Sequence, residues 1–199
     1  MRLSEYEKIR NFTYLEYCDY LQQKYGIGLS DYMTKNYNMN KKVTRTREGF
    51  FAHHRFEDHM IMLCKKDVAM QCPFEWQLAK NIVYCDYLEH LFLHILICEN
   101  PSPERIQPFK VGIGGVLNFI VPELNDFYSG WQTKQEWRRN CFEKVCNDID
   151  CYFALLKRFK ANCHEYYDGC FFQSFNEPYG LWSKEKNQQL FDKIKLVLD

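Results

Sequence analysis

The chain has 199 residues, of which 46% are apolar and 17% aromatic, enough for one packed domain or one domain with a small appendage. Its 26 basic and 26 acidic side chains cancel, which excludes a global polyanion-binding signature and confines any nucleic-acid role to a local patch. No 18-residue uncharged apolar run occurs and Met1-Arg2-Leu3-Ser4-Glu5 begins no signal peptide, so the expectation is a soluble, cytoplasmic protein with no membrane partner.

Ser4-x-x-Glu7 and Thr13-x-x-Glu16 both fit a capping box and predict two helix starts. After Thr13, apolar residues at Tyr14, Tyr17, Cys18, Leu21 and Tyr25 form a helical stripe, and Gly26 supplies its C-terminal stop. The Asn-rich stretch 31–40, with interspersed tyrosines, reads as loop or a short helix. Lys41-Lys42-Val43-Thr44-Arg45-Thr46-Arg47 then carries four basic residues in seven. Between Lys35 and Lys66 eight basic and three acidic side chains leave a formal net of +5, the local patch that the overall balance hides. It reads either as a solvated basic strand or as a phosphate-contacting surface.

Gly49-Phe50-Phe51-Ala52-His53-His54 reads as an aromatic strand ending in adjacent histidines, which a strand points to opposite faces. One can face a metal and the other a water or substrate. Arg55 is a candidate to hold a phosphate bidentately, or else an ion-pair partner of Glu57 or Asp58; His59 reads as a surface histidine. Pro73 to Leu78 predicts a short helix with Pro at its first turn, packing aromatic residues over this region. Ile82-Val83-Tyr84-Cys85 is a short, β-branched apolar run and predicts a strand. Asp86 with Glu89 three residues on is a further capping box, opening a helix that Pro101 and Pro103 end near Glu99-Asn100. That helix carries His90 and His94, an i, i+4 pair with both imidazoles on one face. Five of the six histidines fall within 42 residues.

Val111-Gly112-Ile113-Gly114-Gly115 lacks the Lys-Ser/Thr of a phosphate loop and reads as a flexible turn before the apolar run 116–121. Thr133-x-x-Glu136 predicts the start of one long helix through Phe159, its polar face carrying Lys134, Arg138, Arg139, Lys144, Lys157, Arg158 and Lys160. Residues 166–180 read as an aromatic, Gly-containing loop, and Ser183 as the cap of a final helix. The ten cysteines form no Cys-x-x-Cys pair; most read as reduced, buried thiols, and the five-residue steps of Cys141, Cys146 and Cys151 are poor for chelation.

The ordered set His53-His54, Asn81, His90 and His94, with a strand before each half, resembles the His-Asn-His (HNH), or ββα-metal, nucleases. Asn81-x8-His90-x3-His94 is similar to the spacing in colicin-type members. Asn81-Ile82-Val83-Tyr84 followed by Glu89-His90-x3-His94 is similar to phage and homing members. The resemblance covers about residues 49–97, and it departs from the family in the 26 residues between His54 and Asn81, where a short Gly-rich loop would stand. It implies an α+β chain, mainly helical, with a small ββα-metal module (49–100) embedded between an N-terminal helix and basic segment (1–48) and a C-terminal helical subdomain (101–199). It implies an endonuclease acting on phosphodiester bonds, DNA ahead of RNA. His54 would be the general base, and His53, His90 and His94 the ligands of one divalent ion. Three imidazoles favour Zn, Mn, Ni or Co over Mg, which prefers carboxylate and water. Asn81 would fix the loop or orient His54, and Lys41, Lys42, Arg45, Arg47 and Arg55 would contact nucleic acid. The alternative is a non-catalytic nucleic-acid-binding or regulatory protein, its metal made structural by a fourth ligand from Cys85 or Cys64.

Overall fold

The computed structural model describes residues 1–106, 110–163 and 168–199. Helices α1 (Leu3–Ile9) and α2 (Tyr14–Tyr25) open the chain. Strand β1 (Phe51–His54), the short α3 (Lys66–Ala69), strand β2 (Ile82–Cys85) and α4 (Tyr87–Glu99) come next. The C-terminal part adds α5 (Val121–Tyr128), α6 (Glu136–Glu143), α7 (Ile149–Asn162) and α8 (Lys184–Leu198). The protein is therefore α+β and mainly helical, with β1 and β2 forming a two-stranded antiparallel sheet. Among the described residues no helix is long and apolar enough to cross a membrane.

The sheet positions the histidine pair. Its register sets His53 opposite Val83 and His54 opposite Ile82. All four β2 residues are fully buried, because α2 covers the strand and α4 begins directly after it. Asp86 caps α4 by accepting the Glu89 amide while the Glu89 carboxylate takes the Asp86 amide, so both halves of the expected capping box form. α4 is apolar almost all round, from Tyr87 to Ile97, which is the pattern of a helix with no solvent face. It packs against α2, α7 and the segment before α5. One buried cluster joins Tyr6, Tyr17, Leu21, Phe92, Leu96, Leu124, Leu156 and Ile194, so the N-terminal, central and C-terminal segments share a core. Burying a side chain such as Phe92 contributes about 1.5–3 kcal/mol.

Several local expectations are corrected. Thr13 forms its capping box, but Ser4 lies inside α1, where Arg2 occupies the N-cap without a side-chain bond. The basic run is no strand: Lys41–Val43 and Thr46–Glu48 are separate 3-10 turns. Asn40 caps the first turn, and Gly49, at φ +83°, closes the second. The long helix expected from Thr133 is two helices, α6 and α7. Asn147 and Asp148 sit at the break; such side chains compete with helical backbone bonds. The Thr133 hydroxyl accepts the Gln135 amide instead of capping α6. Ser183 caps α8 as expected. In the aromatic loop, Tyr166 and Tyr167 lie outside the described residues; the part from Asp168 onward contains 3-10 turns at Asp168–Phe171 and Glu177–Tyr179. All ten cysteines are free thiols.

Candidate metal centre

His53 leaves β1 toward α4, where His90 and His94 lie one turn apart, and one ligand nitrogen from each of the three falls within 4.8 Å of the others. His90 Nε2 and His94 Nε2 are 3.2 Å apart. Two nitrogens bonded to one tetrahedral ion at about 2.0–2.1 Å stand about 3.4 Å apart, so this spacing suits a shared metal. His53 and His94 are 1% and 7% exposed, and His90 is half-buried.

The neighbours fix the ring orientations. The Tyr14 hydroxyl lies 2.9 Å from His53 Nε2 and donates to the His54 carbonyl at 3.3 Å. A carbonyl only accepts; with the Tyr14 proton on it, the hydroxyl oxygen takes the His53 Nε2–H and the lone pair of His53 is on Nδ1. That Nδ1 is buried and has no hydrogen-bond partner. Phe51 stacks on His90 with ring centroids 5.5 Å apart at 27°. The expected flexible turn is only a bend at Val111 and Gly112, with helical backbone from Ile113 on, and this segment closes over His94: Gly112 sits at φ +85°, and a Cβ at Gly115 would stand 2.4 Å from the His94 ring atoms Cε1 and Nδ1. The apolar run after it begins as a π-helix, Gly115–Ile120, a form that recurs at functional sites. These glycines serve close approach to a histidine, a use that the missing phosphate-loop signature did not reveal.

Glu57 is the member that sequence reasoning missed. The turn after β1, held by the Glu57 amide donating to the His54 carbonyl, folds its carboxylate back toward the cluster. Oε2 lies 3.7 Å from both His53 Nδ1 and His94 Nε2, and Oε1 lies 3.8 Å from His54 Nδ1. Burial pushes His53 down to about 3, against the opposing pull of Glu57. Burial lowers His90 and His94 as well. Burial alone would raise Glu57, but His53, His54 and His94 outweigh it and hold the carboxyl well below its ordinary range. At neutral pH the centre thus presents three neutral imidazoles beside an ionised carboxylate, the protonation states metal binding requires.

His54 points to the other face, packed on the Tyr32 ring at 4.2 Å and 1% exposed. Gln77, also missed, meets His54 Nε2 with its Oε1 at 3.1 Å while its amide NH2 donates to the Leu63 carbonyl. His54 Nε2 is therefore the protonated nitrogen, and the lone pair is on Nδ1, facing Glu57. Asn81 does not touch His54. Its amide donates to the Glu75 carbonyl, and its own carbonyl takes the Arg55 amide, so it ties the loop to the end of β1.

The basic residues divide. Lys41, Lys42 and Arg47 are exposed. Arg45 is bound by Glu48 through two nitrogens, donates to the Tyr25 carbonyl, and lies over the Phe50 and Tyr84 rings. Arg55 pairs with Asp19 rather than Glu57 or Asp58. His59 is not a surface residue: it bonds Asp58 at 2.6 Å and Ser102 at 3.3 Å. Cys85 turns to the Phe51 carbonyl and Cys64 is exposed, and neither joins the histidine group. Comparisons with known protein families, characterised proteins and solved structures found no match for this chain.

Proposed function

We propose that this protein is a metal-dependent endonuclease of the His-Asn-His, or ββα-metal, type that hydrolyses phosphodiester bonds in nucleic acid, DNA ahead of RNA. The observation that carries the reading is the convergence of His53, from the first strand, with His90 and His94, from the helix after the second, within 4.8 Å. These imidazoles fit a divalent ion: His53 Nδ1 is a buried nitrogen with no hydrogen-bond partner, and the donor set suits Zn, Mn, Ni or Co over Mg. Such an ion neutralises phosphate charge and stabilises the leaving oxygen.

The chain's own residues would do the rest. His54, its Nε2 committed to Gln77, takes a proton from water at Nδ1. Asn81 holds the loop at the end of β1, and with it the backbone carrying His54. Lys41, Lys42 and Arg47 are the exposed cations of the patch and would meet phosphates. Arg45 and Arg55, which the resemblance also places on nucleic acid, would first have to leave Glu48 and Asp19.

The second reading is a structural metal in a non-catalytic module, and the burial of His53 and His54, each 1% exposed, favours it. Incubation of the purified protein with supercoiled plasmid and structured RNA across Mg, Mn, Co, Ni and Zn, with a chelator control, separates the two. Metal-dependent nicking supports the nuclease. A protein that holds its metal yet cuts neither substrate with any of these ions is the structural module.

A further inference from the structure

We propose that Glu57 is a fourth protein donor to this centre, completing a three-histidine, one-carboxylate set; the proposal rests on the metal reading above and, because four protein donors close a tetrahedral ion, it goes with the structural form of that reading. Its two 3.7 Å approaches reach two of the three imidazoles, at His53 Nδ1 and His94 Nε2; they are too long for hydrogen bonds and close to the separation of two ligands on one tetrahedral ion, about 3.4 Å, while the donor atoms that all lie within 4.8 Å of one another are those of His53, His90 and His94. The His53 Nδ1 that it faces is the buried atom without a partner. The side chain is 18% exposed, and among the described residues it pairs with no Lys or Arg. A largely buried carboxylate with no Lys or Arg beside it is a group that proteins normally set next to a cation. An ion held by His53, His90 and His94 supplies that cation. None of the family spacing identified this residue, which sits three positions after His54 in a turn.

The test is Co2+ binding by the metal-free full chain, measured by chelator competition and by the visible absorption of the bound ion. Three variants are compared with the wild type: Glu57→Gln, which keeps shape and loses charge, Glu57→Asp, which keeps charge and shortens the reach, and His90→Ala. Loss of an outer-shell partner typically weakens a metal site about 10–100-fold, so loss of a direct donor in Glu57→Gln should weaken Co2+ by at least about tenfold and alter the absorption bands. Glu57→Asp should fall between Gln and wild type, and it serves alone if the Gln variant does not fold. Wild-type affinity and an unchanged spectrum in Glu57→Gln, with binding lost in His90→Ala, would overturn the role of Glu57 while leaving the histidine site standing. A wild-type protein that takes up no Co2+ overturns the metal reading and this proposal with it.

Discussion

The sharpest perturbation available is one methyl group at Gly115. An alanine Cβ there would stand 2.4 Å from His94 Cε1 and Nδ1 and 2.6 Å from Cγ. Carbon atoms settle at about 3.5–4.0 Å, so the ring or the π-helical backbone must retreat by about 1 Å. Overpacking of this kind costs about 1–3 kcal/mol, and exchanging Gly for Ala in a helix returns about 1 kcal/mol, leaving a net loss of about 0–2 kcal/mol. The larger effect falls on metal affinity, because ligand distances tolerate only about 0.2 Å of error and His94 Nε2 moves with its ring. Gly115→Ala should therefore bind Co2+ at least about tenfold more weakly than wild type, by chelator competition, while denaturant unfolding shows a modest loss. Gly114 is the internal control: its φ is −62°, and its added Cβ would meet only Asn118 Nδ2 at 3.7 Å. Gly114→Ala should bind metal normally and be neutral or slightly stabilised. Equal metal affinity in both variants would refute the claim that the glycine turn shapes the site.

Four further outcomes are expected. His54→Ala should lower cleavage by at least about 100-fold while metal content stays intact, since His54 is assigned as base and not ligand; metal analysis beside a plasmid assay decides it. Without metal, stability should fall as pH drops below 6.5, the ordinary histidine value, toward the depressed native value of about 3 for His53. In that window the unfolded chain takes up protons that the buried imidazoles refuse; each such group costs about 1.4 kcal/mol per pH unit. Urea midpoints measured across pH 4–7 that do not fall with acid would contradict the burial assigned to these rings. On the surface, replacing Lys41, Lys42 and Arg47 with Ala should flatten the salt dependence of DNA binding by about 0.9 per lost contact, with metal content unchanged. Arg45→Ala should chiefly lower stability instead, because its guanidinium is bound by Glu48 and the Tyr25 carbonyl.

The features legible in the sequence were those that depend on spacing along one element. The capping boxes at Thr13 and Asp86 were readable because each is closed within four residues. His90 and His94 share a face because a helix repeats every 3.6 residues, and His53 and His54 diverge because a strand alternates. The hidden features depend on close approach between elements. Glu57 reaches the cluster only through the turn after β1, and its one sequence signal was an acid three and four residues past two histidines. Gln77, not Asn81, meets His54, since the long insertion folds back over β1 through the 3-10 turn Phe74–Gln77. Gly115 looked like a loop residue because nothing local tells that a histidine ring will lie against it. The resemblance gives Arg45 a nucleic-acid contact, and the structure pairs its guanidinium with Glu48, three residues on.

The two roles proposed for the adjacent histidines would both fall on one short strand. Alternation sends His53 toward Tyr14 and α4 and His54 toward Tyr32 and Gln77. Each ring gives its Nε2–H to a neighbour from a different element, Tyr14 in α2 or Gln77 in the insertion, so each keeps its lone pair on Nδ1. Both Nδ1 atoms then face the same carboxylate, His53 at 3.7 Å from one Glu57 oxygen and His54 at 3.8 Å from the other. The nitrogen proposed as ligand and the nitrogen proposed as base, which a strand should hold apart, are thus joined across its end by a single side chain from the next turn. Shifting β1 by one residue against β2 would exchange the faces of His53 and His54, moving the metal nitrogen away from α4. The full burial of β2 opposes that slip, because every core-facing side chain in the pair would have to change sides with them.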